Sequence, residues 1–170
     1  MNIPKLGPLR RDSRFPELLE SEPISVSYFD GLPLTFTLED LTEGDTEDVR
    51  IAIDAFLAMT PEARLAAGQY VFQNYLRIVD AVGADEIDCH VARPEEIWRH
   101  VRPSAVFVAR RHRRDQLIYI QIAANCDWDR EHGLQIVYRR GNELCRVSDQ
   151  DGHLTHTDAY DLPEDHDRIA

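Results

Sequence analysis

Nine consecutive residues, Cys126-Asp127-Trp128-Asp129-Arg130-Glu131-His132-Gly133-Leu134, bring a thiol, three carboxylates and an imidazole together. Carboxylates at alternate positions, as in Asp127, Asp129 and Glu131, supply the oxygen donors that a hard cation such as Ca²⁺ takes. The D-x-D-x-E opening resembles the start of a calcium loop and then departs from it. The glycine falls one position late, at Gly133, and Tyr138 stands where a bidentate glutamate is required. An incomplete shell of this kind also reads as an acidic connection exposed between two strands. His132 beside Glu131 has the composition of a general acid/base pair, because a neighbouring carboxylate favours the imidazolium. Adjacent residues of an extended chain point to opposite sides, however. The competing reading has His132 bonding backbone at a bulge, with Gly133 at positive φ opening the next strand.

Cys126 continues the parity of Ile118, Ile120 and Ile122, which makes it a buried and inert thiol rather than a nucleophile. Trp128, flanked by Asp127 and Asp129, is either a lid over a sheet edge or an exposed anchor for a partner. Three further clusters carry weaker chemistry. His153-x-x-His156-x-Asp158 holds metal-capable side chains, but residues three apart diverge on a strand. Cys89-His90 follows Asp85, Glu86 and Asp88 in a loop. The basic run Arg110-Arg111-His112-Arg113-Arg114 sits at a hairpin tip, where it grips a phosphate or acidic peptide, or pairs with the protein's own carboxylates.

The elements that hold these groups follow from periodicity. Residues 1–20 form an arm with prolines, arginines at 10, 11 and 14, and an apolar cluster of Phe15, Leu18 and Leu19. Ile24, Val26 and Tyr28 alternate, Asp30-Gly31 turns, and Leu34, Phe36 and Leu38 return, which is a β-hairpin. The period then lengthens. Asp45 or Thr46 caps a helix with Val49, Ala52, Ile53, Phe56 and Leu57 on one face. Thr60-Pro61-Glu62 starts a second helix that Gly83 ends, and a third, short helix spans about Pro94 to Val101.

After Pro103 strands resume: Ala105 to Arg110, Leu117 to Asn125, Leu134 to Arg139 and Glu143 to Ser148. Gly141-Asn142 makes one turn, and Asp151-Gly152 makes another toward His153 to Thr157 as a fifth strand. The acidic tail, residues 158–170, reads as frayed. The fold class is α+β: an N-terminal β-hairpin, two to three helices, and a C-terminal antiparallel meander in one sheet against them. Residues 1–170 make one domain, because the helices and the apolar sheet face share a core.

Charge narrows the partners. The 170 residues carry 31 Asp plus Glu against 19 Lys plus Arg, a formal charge of −12. Such a surface repels phosphate backbones, so nucleic acid is not an expected partner, and a basic protein surface is. The N-terminus has no secretory apolar segment, and no apolar run approaches the roughly 20 residues of a membrane span. Three cysteines without a CxxC pair fit a reduced cytoplasmic protein. No membrane contact and no cofactor are expected.

The run Cys126-Asp127-Trp128-Asp129-x-Glu131-His132-Gly133-Leu134, followed by Gly141-x-Glu143-Leu144, resembles an uncharacterised bacterial domain family with a C-[DE]-W-x-x-E-H-G-L motif between strands of its C-terminal sheet. The likeness is specific over about Leu117 to Gly152 and looser before it. It implies a fold type and no catalytic residues. Small acidic bacterial proteins of this style are also similar to immunity proteins, which occlude toxins, although that likeness rests on no motif. The sequence thus reads as a non-enzymatic acidic protein-binding domain, immunity-like in kind, with Trp128, Asp127, Asp129, Glu131 and His132 as its binding candidates. The alternative is a divalent-metal-dependent hydrolase that uses Asp127, Asp129, Glu131 and His132.

Overall fold

A computed structural model describes residues 1–170. Nine strands form two sheets. β1 (Arg10–Arg11), β2 (Leu19–Glu20), β5 (Phe36–Glu39), β6 (Val101–Arg110), β7 (Ile118–Cys126), β8 (Leu134–Arg139) and β9 (Glu143–Ser148) make the large sheet, in the order β1-β2-β5-β6-β7-β8-β9. β3 (Ile24–Val26) and β4 (Leu32–Leu34) make a separate two-stranded ribbon. The helices are α1 (Thr46–Leu57), α2 (Pro61–Val82) and α3 (His156–Tyr160). The fold is α+β with one main sheet, mostly antiparallel.

The exception in pairing is β5 with β6, which run parallel, with Phe36 opposite Val106 and Glu39 opposite Ala109. Parallel neighbours need a long crossover, and here it is the whole helical segment between Glu39 and Val101. This corrects the N-terminal hairpin. Ile24, Ser25 and Val26 do pair with Leu34, Pro33 and Leu32 across Asp30 and Gly31, both at positive φ. The return strand does not continue, though. Phe36–Glu39 leaves the ribbon and joins the large sheet between β2 and β6, and Ser27–Phe29 form a 3₁₀ turn.

The helices start and stop for local reasons. Thr42 and Asp45 close a capping box three residues ahead of the expected start, and a 3₁₀ turn at Glu43–Asp45 runs straight into α1. Thr60 and Pro61 open α2, and Gly83, at φ +97°, ends it. Val49, Ala52, Ile53 and Phe56 of α1 are buried, as are Val71 and Tyr75 of α2. They pack on the sheet face that carries Ile118, Ile120, Ile122, Leu134, Ile136 and Tyr138 in one continuous core. Leu65 and Leu76 of α2 are exposed. The third helix is a 3₁₀ segment, Pro94–His100. β6 begins at Val101, before Pro103 rather than after it, and the ladder slips between Pro103 and Ala105, the type of irregularity that accommodates a proline.

The chain's end departs most from expectation. No fifth strand follows Asp151-Gly152; residues 153–155 are irregular and α3 begins at His156. Nor is the tail frayed. The Val147 amide donates to the Ile169 carbonyl at 2.6 Å, so the last residues lie along β9, the sheet's edge. The same segment covers part of the second sheet face, where Tyr119, Val137 and Cys145 form a small cluster with Leu117 and Leu154. No helix is long and apolar enough to cross a membrane.

Candidate functional site

The connector between β7 and β8, residues 127–133, is shaped from both ends. The Asp127 amide donates to the His100 carbonyl, next to the Val101–Cys126 pair that ends the β6–β7 ladder. Its carboxylate accepts from Arg102 and lies 2.9 Å from His100 Nδ1. The Arg102 hydrogen bond, with His100 adding to it, holds the Asp127 carboxyl below the usual carboxylate range. Asp129 turns inward along the connector. Its Oδ1 accepts from the His132 amide at 3.0 Å, and the His132 imidazole Nδ1 sits 3.2 Å from both carboxylate oxygens.

His132 is therefore paired, and its partner is Asp129 rather than the adjacent Glu131. The backbone agrees: the Gly133 amide donates to the Asp129 carbonyl at 3.0 Å, closing a turn. Gly133, at φ +69°, is required twice over. A Cβ there would lie 2.8 Å from the Ala124 carbonyl oxygen and 2.6 Å from Gln150 Nε2.

The four candidate ligands do not gather round one point. Asp127 faces His100 and Arg102, Asp129 faces His132, and Glu131 is exposed. Nowhere in the molecule do three His, Cys, Asp or Glu side chains converge as a cation would need. Asp127, Asp129 and His132 thus sit in separate pairs, with Glu131 apart from them, rather than in one ligand shell. Cys126 is buried as its parity implied, and burial pushes its thiol up to about 12.

Trp128 takes the lid role. It is 4% exposed, meets Tyr75 of α2 edge-on with ring centroids 6.0 Å apart, and donates its indole N–H to Asn74 Oδ1 at 2.9 Å. Asn74 in turn donates to Asp149, which also accepts from Arg77 at 2.6 Å. Neither Asn74 nor Asp149 stands out in the sequence. The one available signal is an asparagine on the buried stripe of an amphipathic helix, where a polar group needs a partner.

The last turns of α2 and this connector enclose an open cleft of about 500 Å³. Ile78, Val82, Ile87 and Trp128 give it apolar walls, and Glu86, Asp129, Glu131 and Asp149 give it acidic ones. Arg130 and His132 also line it; Arg130 is held 3.0 Å from Asp88. Val82 is 53% exposed, so the apolar surface is open to a ligand.

The remaining clusters separate. His156 stacks on Tyr160 with centroids 4.6 Å apart, whereas Asp158 turns to Arg111. Cys89 is half-buried and His90 exposed, with no metal-like grouping around them. The basic run pairs with the protein's own acids. Arg110 bonds Asp45 and Asp48, Arg111 bonds Asp158 and Glu164, and Arg114 approaches Glu164 at 3.2 Å.

An α+β domain with a motif-bearing connector between two strands of its C-terminal sheet is the class this geometry defines. The chain belongs to a domain family of unknown function, DUF6985, which matches residues 5–154. No curated protein and no solved structure matches it.

Proposed function

We propose that this is a protein-binding domain, and that the cleft between α2 and the 127–133 connector takes a basic, apolar-tipped segment of a protein partner. The observation that carries the reading is the cleft's composition: an open apolar wall at Val82 and Ile87 beside Glu86, Glu131 and Asp149. Apolar contact supplies affinity, and the acidic rim selects cationic sequences and speeds encounter. The formal charge of −12 acts in the same direction at longer range. Trp128 contributes as the rigid back wall and Asp127 as the connector's anchor. Glu131 and His132 are the side chains of the motif that meet a partner directly. In kind this resembles an immunity protein, an acidic domain that works by occupying a basic one.

The test uses a defined probe. Peptides selected from a random display library on the immobilised protein are expected to combine Lys or Arg with one apolar anchor. Their affinity falls at least about tenfold in Val82→Asp and Glu131→Lys, and falls again with added salt. Selected binders that are neutral or acidic, or that ignore both substitutions, remove the proposal.

A further inference from the structure

We propose that the second face of the sheet carries a receptor slot for an acidic peptide, which the chain's own residues 155–169 fill as a detachable strap. The slot centres on Arg111, whose side chain is only 3% exposed. Its guanidinium lies against the Asp158 carboxylate at 2.7 and 2.8 Å and the Glu164 carboxylate at 2.9 and 2.8 Å, with the hydroxyl oxygens of Thr155 and Thr157 3.0 and 3.2 Å away. Every one of these partners lies beyond residue 154, where the match to the family ends. Inside the matched region Arg111 has one carboxylate neighbour, Asp115, at 3.5 Å. A buried guanidinium needs a counter-charge. Here the domain supplies the cation and a segment outside the match supplies the anions.

The strap is held by charge more than by apolar burial. Arg114 lies 3.2 Å from Glu164, and Arg139 lies 3.5 Å from Asp167. Its first turn is anchored by the fully buried Thr155 and Thr157, but from Asp158 to Ala170 no residue is buried, and Tyr160 is 65% exposed. An open groove of about 440 Å³ runs between Arg139, Leu144 and Cys145 on the sheet side and Glu164, Asp167 and Ile169 on the strap side. The outer pairs, Arg114 with Glu164 and Arg139 with Asp167, lie nearer water than Arg111 and are the ones salt weakens, and a segment with little buried apolar surface opens before the core does. Release would bare Arg111, the Cys145 side of the small cluster, and the Val147 amide on the β9 edge, the elements an acidic extended peptide needs. The slot at Arg111 shares no lining residue with the cleft beside Trp128, so this inference does not rest on the function proposed above.

Two measurements test it. In the unmodified chain, hydrogen exchange is compared at about 0.05 M and about 0.5 M NaCl. Protection at Thr157 and Leu162 is expected to fall with salt while that of β7 and β8 stays constant. Separately, a labelled peptide of residues 155–169 is titrated onto the Asp158→Asn/Glu164→Gln variant of residues 1–170, whose own strap is loosened. It is expected to bind at least about tenfold more tightly than to the unmodified chain, because the competing cis segment is weakened. A peptide with both carboxylates amidated is expected not to bind. Strap protection that matches the core at both salt concentrations overturns the proposal. So does a peptide that fails to bind the loosened chain, or that binds regardless of its carboxylates.

Discussion

Asn74 of α2 accepts the indole N–H of Trp128 at 2.9 Å, and this contact joins the motif-bearing connector to the helical layer. Both residues are buried, so neither group can turn to water if the other is removed. Asn74→Leu leaves the indole N–H unpaired and is expected to lower stability by about 1–3 kcal/mol. Trp128→Phe strands the Asn74 oxygen at a similar cost and also loses ring volume. The double variant leaves neither group stranded, so denaturant unfolding should show it less destabilised than the sum of the two. Strict additivity would mean that the hydrogen bond contributes nothing to holding the cleft wall.

Gly141 sits at φ +90° in the turn between β8 and β9, and a Cβ there would overlap the Ala52 carbonyl oxygen and lie 2.8 Å from its carbonyl carbon. The turn is therefore pressed against the backbone of α1. Gly141→Ala carries roughly 1–2 kcal/mol of left-handed strain and, in addition, forces α1 away from the sheet. Gly152, also at positive φ but with open space around its Cβ position, isolates the first effect. Thermal unfolding should show Gly141→Ala falling well beyond Gly152→Ala. Equal shifts would mean that the helix yields freely.

The C-terminal sheet was legible because its strands alternate cleanly. Ile118, Ile120 and Ile122 face the helices while Tyr119 and Ala123 take the other face, and both faces are buried. The helix caps at Thr60 and Gly83 were equally plain, because their residue types suit those backbone positions. Alternation from Ile24 to Leu38 could not show where the chain changes sheets. Phe36 pairs with Val106, 70 residues away, and no local pattern carries that register. Within the motif, side-chain parity placed Cys126 correctly, but Asp129 meets His132 through a turn that strand geometry does not contain. Arg111 was missed as a buried centre. A run of arginines gives no sign of which one turns inward, and its partners lie some 45 residues on, in a segment whose composition suggests fraying.

The cleft proposal separates binding from stability at one position. Val82 is half exposed near the end of α2, so Val82→Asp should leave thermal stability within about 0.5 kcal/mol. The same change places a charge on the cleft's apolar wall and should weaken binding of the selected basic peptides at least about tenfold. A large loss of stability in this variant would show that the wall is core rather than docking surface.

Acid should release the chain in a defined order of sign. The Arg102 hydrogen bond lowers the Asp127 carboxyl, and the Arg111 hydrogen bond lowers that of Glu164. Burial works to raise Asp158, but hydrogen bonds from Arg111 and Thr155, with the charges of Arg111 and Arg114, hold it low. Groups depressed in the folded state stabilise it fully above their unfolded values, about 3.9 for Asp and 4.3 for Glu, and lose that contribution as pH falls through the lower folded values. Glu39 runs the other way, since burial raises it and protonation relieves the folded state. Lowered groups outnumber it, so the thermal midpoint should hold near neutrality and drop below about pH 4. A midpoint that rises on acidification would contradict the ion-pair assignments.

Thiol chemistry gives an independent reading of the connector. Burial pushes the thiols of Cys126 and Cys145 each up to about 12, and the Cys126 thiol lies 3.4 Å from the Asp129 carbonyl. Cys89 is raised as well, through burial and the charges of Asp127 and Asp88, but it remains half-buried and reachable. A disulfide reagent at pH 8 should therefore modify one cysteine in the folded protein and three in denaturant, and Cys89→Ser should remove the single fast reaction. Gly133→Ala, which crowds the Ala124 carbonyl and Gln150, should make Cys126 reactive without denaturant by loosening the turn that covers it. If Cys126 stays silent in that variant, the glycine turn plays no part in sealing it, and the contacts of Asp127 with Arg102 and of Trp128 with Asn74 hold the connector.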